Sequence, residues 1–145
     1  MSEANKSVAR RYFEDLLNGM SPQAVDELIG DHCVLTAPVI PGELKGIEVF
    51  RQMQAGLAGT FRDLRFTLHE RIAEGNQVVC YWTMEGIHSG EWLGVPATGK
   101  RLAITGCDLF EITDGKITRV HIQADYLGAM RQMGAMGVAP AHGVE

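Results

Sequence analysis

The stretch Arg101–Asp125, RLAITGCDLFEITDGKITRVHIQAD, decides how this chain folds. Two alternating runs flank Asp114-Gly115, a dipeptide that signals a hairpin. On the first run Leu102, Ile104, Phe110 and Ile112 share a face with Gly106 and Asp108; on the return run, Lys116 to Asp125, Val120, Ile122 and Ala124 share one face. Arg119, His121, Gln123 and Asp125 take the opposite face. Because side chains alternate with period two, burial pins the register so that apolar face meets apolar face. A three-residue loop, Asp114 to Lys116, with Gly115 in the left-handed conformation would achieve this. Asp108 then stands alone among apolar side chains, roughly opposite Ile122.

Working outward, Gln77 to Trp92 reads as a long strand with turn Glu74-Gly75-Asn76 before it, and Gly94 to Lys100 as a loop after it. Leu64, Phe66 and Leu68 alternate with Arg65, Thr67 and His69, a half-buried strand. Before Thr60 the period is helical. Val8, Tyr12, Phe13, Leu16 and Leu17 form one stripe, stopped at Asn18-Gly19. Ser21-Pro22 opens a second helix with Ser as N-cap, and a third runs from about Gly46 to Leu57. Between them His32 to Val39 is extended, broken by Pro38 and Pro41-Gly42. Tyr126 to Met133 makes a closing helix with Asp125 as its cap, and the tail 135–145 is expected to be loose. Helices followed by a run of antiparallel strands indicate an α+β fold, one curved sheet covered on one face by about three helices and enclosing an apolar space.

The chain has 145 residues, which suits a single domain spanning 1–145. Apolar residues make up 46% and charged residues 21%, a balance that excludes a disordered chain. The net charge of −5, with no basic cluster, argues against nucleic acid and anionic membranes as partners. No apolar run approaches the ~20 residues of a membrane helix, and the N-terminus lacks the apolar core of a signal peptide, so a cytoplasmic location is expected. Cys33, Cys80 and Cys107 are odd in number and widely spaced, which suits buried small apolar residues and no disulfide framework. No His, Cys and Asp cluster has zinc spacing, and Gly94 to Lys100 lacks the full phosphate-loop pattern, so neither metal nor cofactor is expected.

Asp108 is the sharpest anomaly. An ionised carboxylate withdrawn from water must find donors or accept a raised pKa, and a raised pKa suits acid–base work near neutral pH. Thr or Trp donors could equally satisfy it as a structural group. Cys80, Trp82, Met84 and His88 share the cavity face of their strand if no bulge intervenes. His88 then either reaches Asp108 as a partner or binds a loop backbone and fixes the Gly-rich turn. Trp82, Met84, Phe110, Ile122 and Trp92 are the expected apolar walls, with plain core packing as the other reading of Trp82 and Trp92. Glu111 and Arg119 share the outer face as a cross-strand pair. His121 falls there too, as an interface or surface group; His69 faces solvent, His32 near the end of the second helix is read as structural, and His142 falls in the tail. A one-residue slip of register would bring His121 and Asp125 inside instead.

In order along the chain, Ala9–Gly19 (ARRYFEDLLNG), Phe61–Thr67 (FRDLRFT), Ile87–Lys100 (IHSGEWLGVPATGK), Asp108–Ile117 (DLFEITDGKI) and Asp125–Gly134 (DYLGAMRQMG) resemble the SnoaL-like polyketide cyclases. These are also labelled ester cyclases and belong to the ketosteroid-isomerase-like superfamily of cone-shaped α+β barrels. The likeness covers roughly residues 5 to 134. It implies a cone-shaped barrel with a curved antiparallel sheet, and a homodimer formed through the outer sheet face. It also implies a His and Asp pair on the last two strands. Asp108 stands at the His position and Ile122 at the Asp position, so a titratable group remains at one and is absent at the other.

Two expectations about function follow. One is cofactor-independent acid–base chemistry on a small apolar carbonyl or polyketide-like molecule, with Asp108 as the acid–base group and His88 as its partner. An epoxide-hydrolase-like reaction is a variant of it, which wants two carboxylates and an Arg. The other is a non-catalytic binding module for an apolar small molecule, which Ile122 favours.

Overall fold

Helical periodicity stops at Thr60 and strand periodicity starts at Phe61, and the computed structural model, which describes residues 2–136, changes element at that bond. The helices are α1 (Ser2–Arg11), α2 (Pro22–Leu28), α3 (Ile47–Thr60) and α4 (Tyr126–Gln132), and α1 runs on into a π-helical segment, Tyr12–Asn18. The strands are β1 (Ile29–Ala37), β2 (Ile40–Lys45), β3 (Phe61–Glu74), β4 (Gln77–His88), β5 (Arg101–Thr113) and β6 (Lys116–Ala124), in the sheet order β2-β1-β6-β5-β4-β3.

The α+β architecture is the one expected, with two corrections. The sheet is mixed, because β1 lies parallel to β6 while every other neighbour is antiparallel. A parallel neighbour needs a long connection, and the rest of the sheet is that connection. The sheet is also open, with β2 and β3 as its edges. Pro41-Gly42, a break by its composition, lies inside β2. An edge strand tolerates the missing N–H, and this one is joined to β1 by a tight turn across Ala37 and Ile40.

The last hairpin keeps the expected register by a different device. Asp114 and Gly115 both have left-handed φ (52° and 77°), so the loop has two residues rather than three. A bulge between Glu111 and Ile112 then supplies the missing offset, giving Phe110 opposite Val120 and Asp108 opposite Ile122. The bulge also explains how Ile117 and Val120, three residues apart, are both buried. Glu111 and Arg119 face one another across the strands at 3.6 Å.

One face of the sheet carries the core. In the π-helical segment, bonds from i to i+5 bring positions i, i+1, i+4 and i+5 onto one face. Tyr12, Phe13, Leu16 and Leu17 are accordingly all buried. Tyr12 and Phe13 meet Phe110 edge to face at 4.9 and 5.9 Å. Asn18 fastens the end of this segment to an edge strand, accepting from Phe66 N (2.7 Å) and donating to Phe66 O (2.8 Å). Helix α2 has Ser21 as its N-cap, with Oγ accepting from Ala24 N at 3.1 Å, and Pro22 in its first turn. Cys33 and Cys80 are buried as expected, but Cys107 is exposed. It lies between Gly106 and Asp108, so alternation sends it outward.

Asp125 caps α4, accepting from Gly128 N at 2.8 Å. Asp125→Ala is expected to cost about 1 kcal/mol, read as a lower urea midpoint with an unchanged slope. His142 and all of the expected loose tail beyond Met136 lie outside the described residues. Among the described residues, no helix is long and apolar enough to cross a membrane.

Candidate active site

Strand alternation and helix packing leave a cavity of about 370 Å³ between the sheet and the helices. The sheet contributes Leu35, Ala37, Phe66, Trp82, Met84, Ile104, Asp108, Ile122 and Ala124 to its wall. Helix α3 adds Val49, Gln52, Met53 and Leu57; Tyr12 and Leu17 come from the π-helical segment; Val39, Ile40 and Leu44 come from β2 and the turn before it, and Trp92 and Tyr126 also join the wall. Val39, Leu44 and Gln52 are exposed members of the wall and mark its open side.

Asp108 is 3% exposed and is the one charged residue of that wall among the described residues. Its Oδ1 accepts a hydrogen bond from Trp82 Nε1 at 3.0 Å. Burial pushes its carboxyl up to about 7, and the indole bond only partly offsets this by favouring the ionised form. Two phenols accompany it. Tyr12 is fully buried, and its hydroxyl reaches Met53 Sδ at 3.8 Å. Burial first, then the charge of Asp108, hold Tyr12 well above the usual phenol range, and the same two causes raise Tyr126. Both hydroxyls therefore stay neutral donors at ordinary pH.

His88 is 0% exposed, but it does not meet Asp108. The register pairs Asp108 with Cys80, and Cys80 to His88 is eight residues along β4, roughly 26 Å at strand rise. Alternation chose the right face of β4 but the wrong end of it. The imidazole instead anchors the loop after β4: Nδ1 accepts from Thr98 N at 3.2 Å and contacts Thr98 Oγ1 at 2.9 Å. An accepting Nδ1 puts the ring proton on Nε2, and that atom is buried without a partner among the described residues. The backbone bonds His88 N to Lys100 O and Gly99 N to His88 O (both 2.8 Å) close the same loop. This loop carries Trp92, which packs edge to face on Phe61 at 5.1 Å and reaches the cavity wall.

Phe110, expected in the wall, is instead behind it. It is two residues past Asp108 toward the hairpin, where the rings of Tyr12 and Phe13 cover it. Trp82, Met84, Ile122 and Trp92 do line the cavity. With the register as expected, His121 stays on the outer face, bonded through Nδ1 to Thr36 Oγ1 at 2.5 Å, and Asp125 is spent on the α4 cap. His69 is exposed and meets Thr83 Oγ1 at 2.7 Å.

The sequence profile of the SnoaL-like polyketide cyclases matches residues 7–133. The chain belongs to that family. Among curated SnoaL-like relatives, nogalonic acid methyl ester cyclase of Streptomyces nogalater is 32% identical over 111 residues, 76% of this chain and 83% of that protein. The aklanonic acid methyl ester cyclase DauD of Streptomyces sp. (strain C5) is 29% identical over 128 residues, 88% of this chain and 80% of that protein. Among solved structures, TsrD from Streptomyces laurentii superposes with a TM-score of 0.82 at 29% identity, covering 92% of this chain and 97% of its own. A SnoaL-like protein of Jannaschia sp. CCS1 gives 0.82 at 23% identity, with 94% and 96% covered, a likeness of fold.

In this SnoaL-like chain, sequence reasoning missed Tyr12, Tyr126 and Gln52 as groups facing the cavity. For Tyr12 a signal existed: a phenol inside an otherwise apolar helical stripe has a polar tip that needs a destination. For Tyr126 and Gln52 none did, since each sits where a helix happens to meet the mouth of the sheet.

Proposed function

We propose that this SnoaL-like protein catalyses cofactor-independent proton transfer on a neutral, largely apolar polyketide-like ester that carries ketones, closing a ring by carbon–carbon bond formation. The observation that supports this best is Asp108, a lone carboxyl in an apolar wall, with its pKa pushed up to about 7. At neutral pH such a group is present in both forms, which suits a residue that must take a proton and give it back. The carboxylate removes a proton from carbon beside a carbonyl. The neutral hydroxyls of Tyr12 and Tyr126 are donors for the oxygen on which charge develops. The new bond leaves an alkoxide on the attacked carbonyl, and the protonated Asp108 returns the proton there. Substrate and product are isomers, so nothing else is consumed. The ester class is drawn from the likeness to the two methyl ester cyclases.

A binding module is the second reading, favoured by Ile122, which faces Asp108 across the hairpin and carries no proton. The test is incubation with the methyl esters of nogalonic and aklanonic acids in deuterated water. Catalysis is expected to give a ring-closed product of altered retention faster than in buffer alone, and reversal of the proton removal to leave deuterium at carbon beside a carbonyl in the remaining substrate. Saturable binding with no exchange and no new product would establish the binding module instead.

A further inference from the structure

Gly106 lies directly opposite Trp82 in the β4–β5 register. A Cβ built on Gly106 would meet the Trp82 ring at 2.3, 2.6 and 2.9 Å. Real Cβ atoms essentially never make such contacts, and the neighbour is a rigid bicycle that also packs edge to face on Phe66 at 5.4 Å. The indole thus occupies the space that a side chain at position 106 of β5 would need. That posture carries its N–H from β4 to the next cavity-facing residue of β5, Asp108.

We propose that Gly106 and Trp82 are positioning residues for Asp108: the glycine makes room for the indole, and the indole N–H holds Oδ1 and so directs the exchangeable proton to Oδ2. An indole N–H only donates, so Oδ1 must remain an acceptor in both charge states. In the neutral acid the carbonyl oxygen is the stronger acceptor, so the indole bond to Oδ1 favours the hydrogen on Oδ2. The bond thereby biases which oxygen of the carboxyl exchanges protons, something neither burial nor apolar walls can do. It deepens the function proposed above and rests on that reading for its catalytic meaning, while the geometry itself does not.

The experiment follows Asp108 by carbon-13 NMR and the Trp82 indole N–H by nitrogen-15 NMR across a pH titration of the full chain without substrate. In the wild type, the Trp82 indole resonance is expected to move with the midpoint of Asp108. Trp82→Phe keeps an aromatic ring over the glycine but removes the donor, and the Asp108 midpoint should rise by about one pH unit. Gly106→Ala should displace the ring, raise the midpoint in the same direction and uncouple the indole resonance from pH. The double variant should titrate like Trp82→Phe alone, because the glycine acts only through the indole. An unchanged midpoint in Trp82→Phe overturns the proposal, and that variant decides the matter if Gly106→Ala does not fold. Additive shifts in the double variant also overturn it. If the coupling is present but Asp108→Asn turns substrate over normally, the catalytic reading fails and the positioning stands.

Discussion

Asp108→Asn lowers turnover of a cyclisable ester by a factor of about 10²–10⁴, the range for loss of a general acid–base group, while ligand affinity stays within a few-fold. The amide is the same size as the carboxyl, and its oxygen can still accept from Trp82 Nε1, so the wall keeps its shape. What disappears is the exchangeable proton. The effect should be large because Ile122 opposite offers no substitute, and His88 is anchored to Thr98 at the other end of β4. Single-turnover kinetics beside equilibrium titration of the same ligand separate the two quantities. Equal turnover by the two proteins would remove Asp108 from the chemistry, and a parallel loss of affinity would make it a ligand-binding group.

The same substitution is expected to stabilise the folded protein above neutral pH by up to roughly 4 kcal/mol. The sign follows from the direction of the shift. The folded pKa, about 7, lies above the ordinary carboxyl value of 3.8. Between those values the folded state holds a proton that the unfolded chain has released. Stability from this group is therefore fully present below pH ~4 and is lost as pH rises toward 7. Above that, a charge sits buried beside a single donor. Asparagine has no such charge, so its urea midpoint should be higher than the wild type's at pH 8 and close to it at pH 4. A wild-type curve with no fall between pH 4 and 7 beyond that of Asp108→Asn would mean that water reaches the carboxyl freely.

What the sequence made legible was local and periodic. Alternation placed Leu102, Ile104, Asp108, Val120 and Ile122 on one face, and burial pinned the register that sets Asp108 against Ile122. It did so even though the turn differs from the one expected, because the bulge beside Ile112 restores the offset that the core demands. Legibility failed where distance along an element mattered. Period two assigns His88 to the inner face but does not say that a strand of 12 residues carries it beyond the cavity. It failed again for β1 and β2, since a parallel partner at the far end of the chain leaves no local trace, and Pro41-Gly42 reads as a break whether or not an edge strand contains it. The partnership of Gly106 and Trp82 was invisible for a related reason: a glycine in a strand says that something approaches closely, not what approaches.

The two tryptophans of this chain, Trp82 and Trp92, both stand in the cavity wall. All of the indole fluorescence of the protein therefore originates at the site itself. One emitter touches the carboxyl directly; the other rides on the loop that His88 holds. An arriving ligand must change the surroundings of at least one of them, and ionisation of Asp108 changes the surroundings of the first. The protein is thus its own optical probe, and candidate ligands can be screened by emission alone, with neither label nor product standard, before the reaction itself is identified.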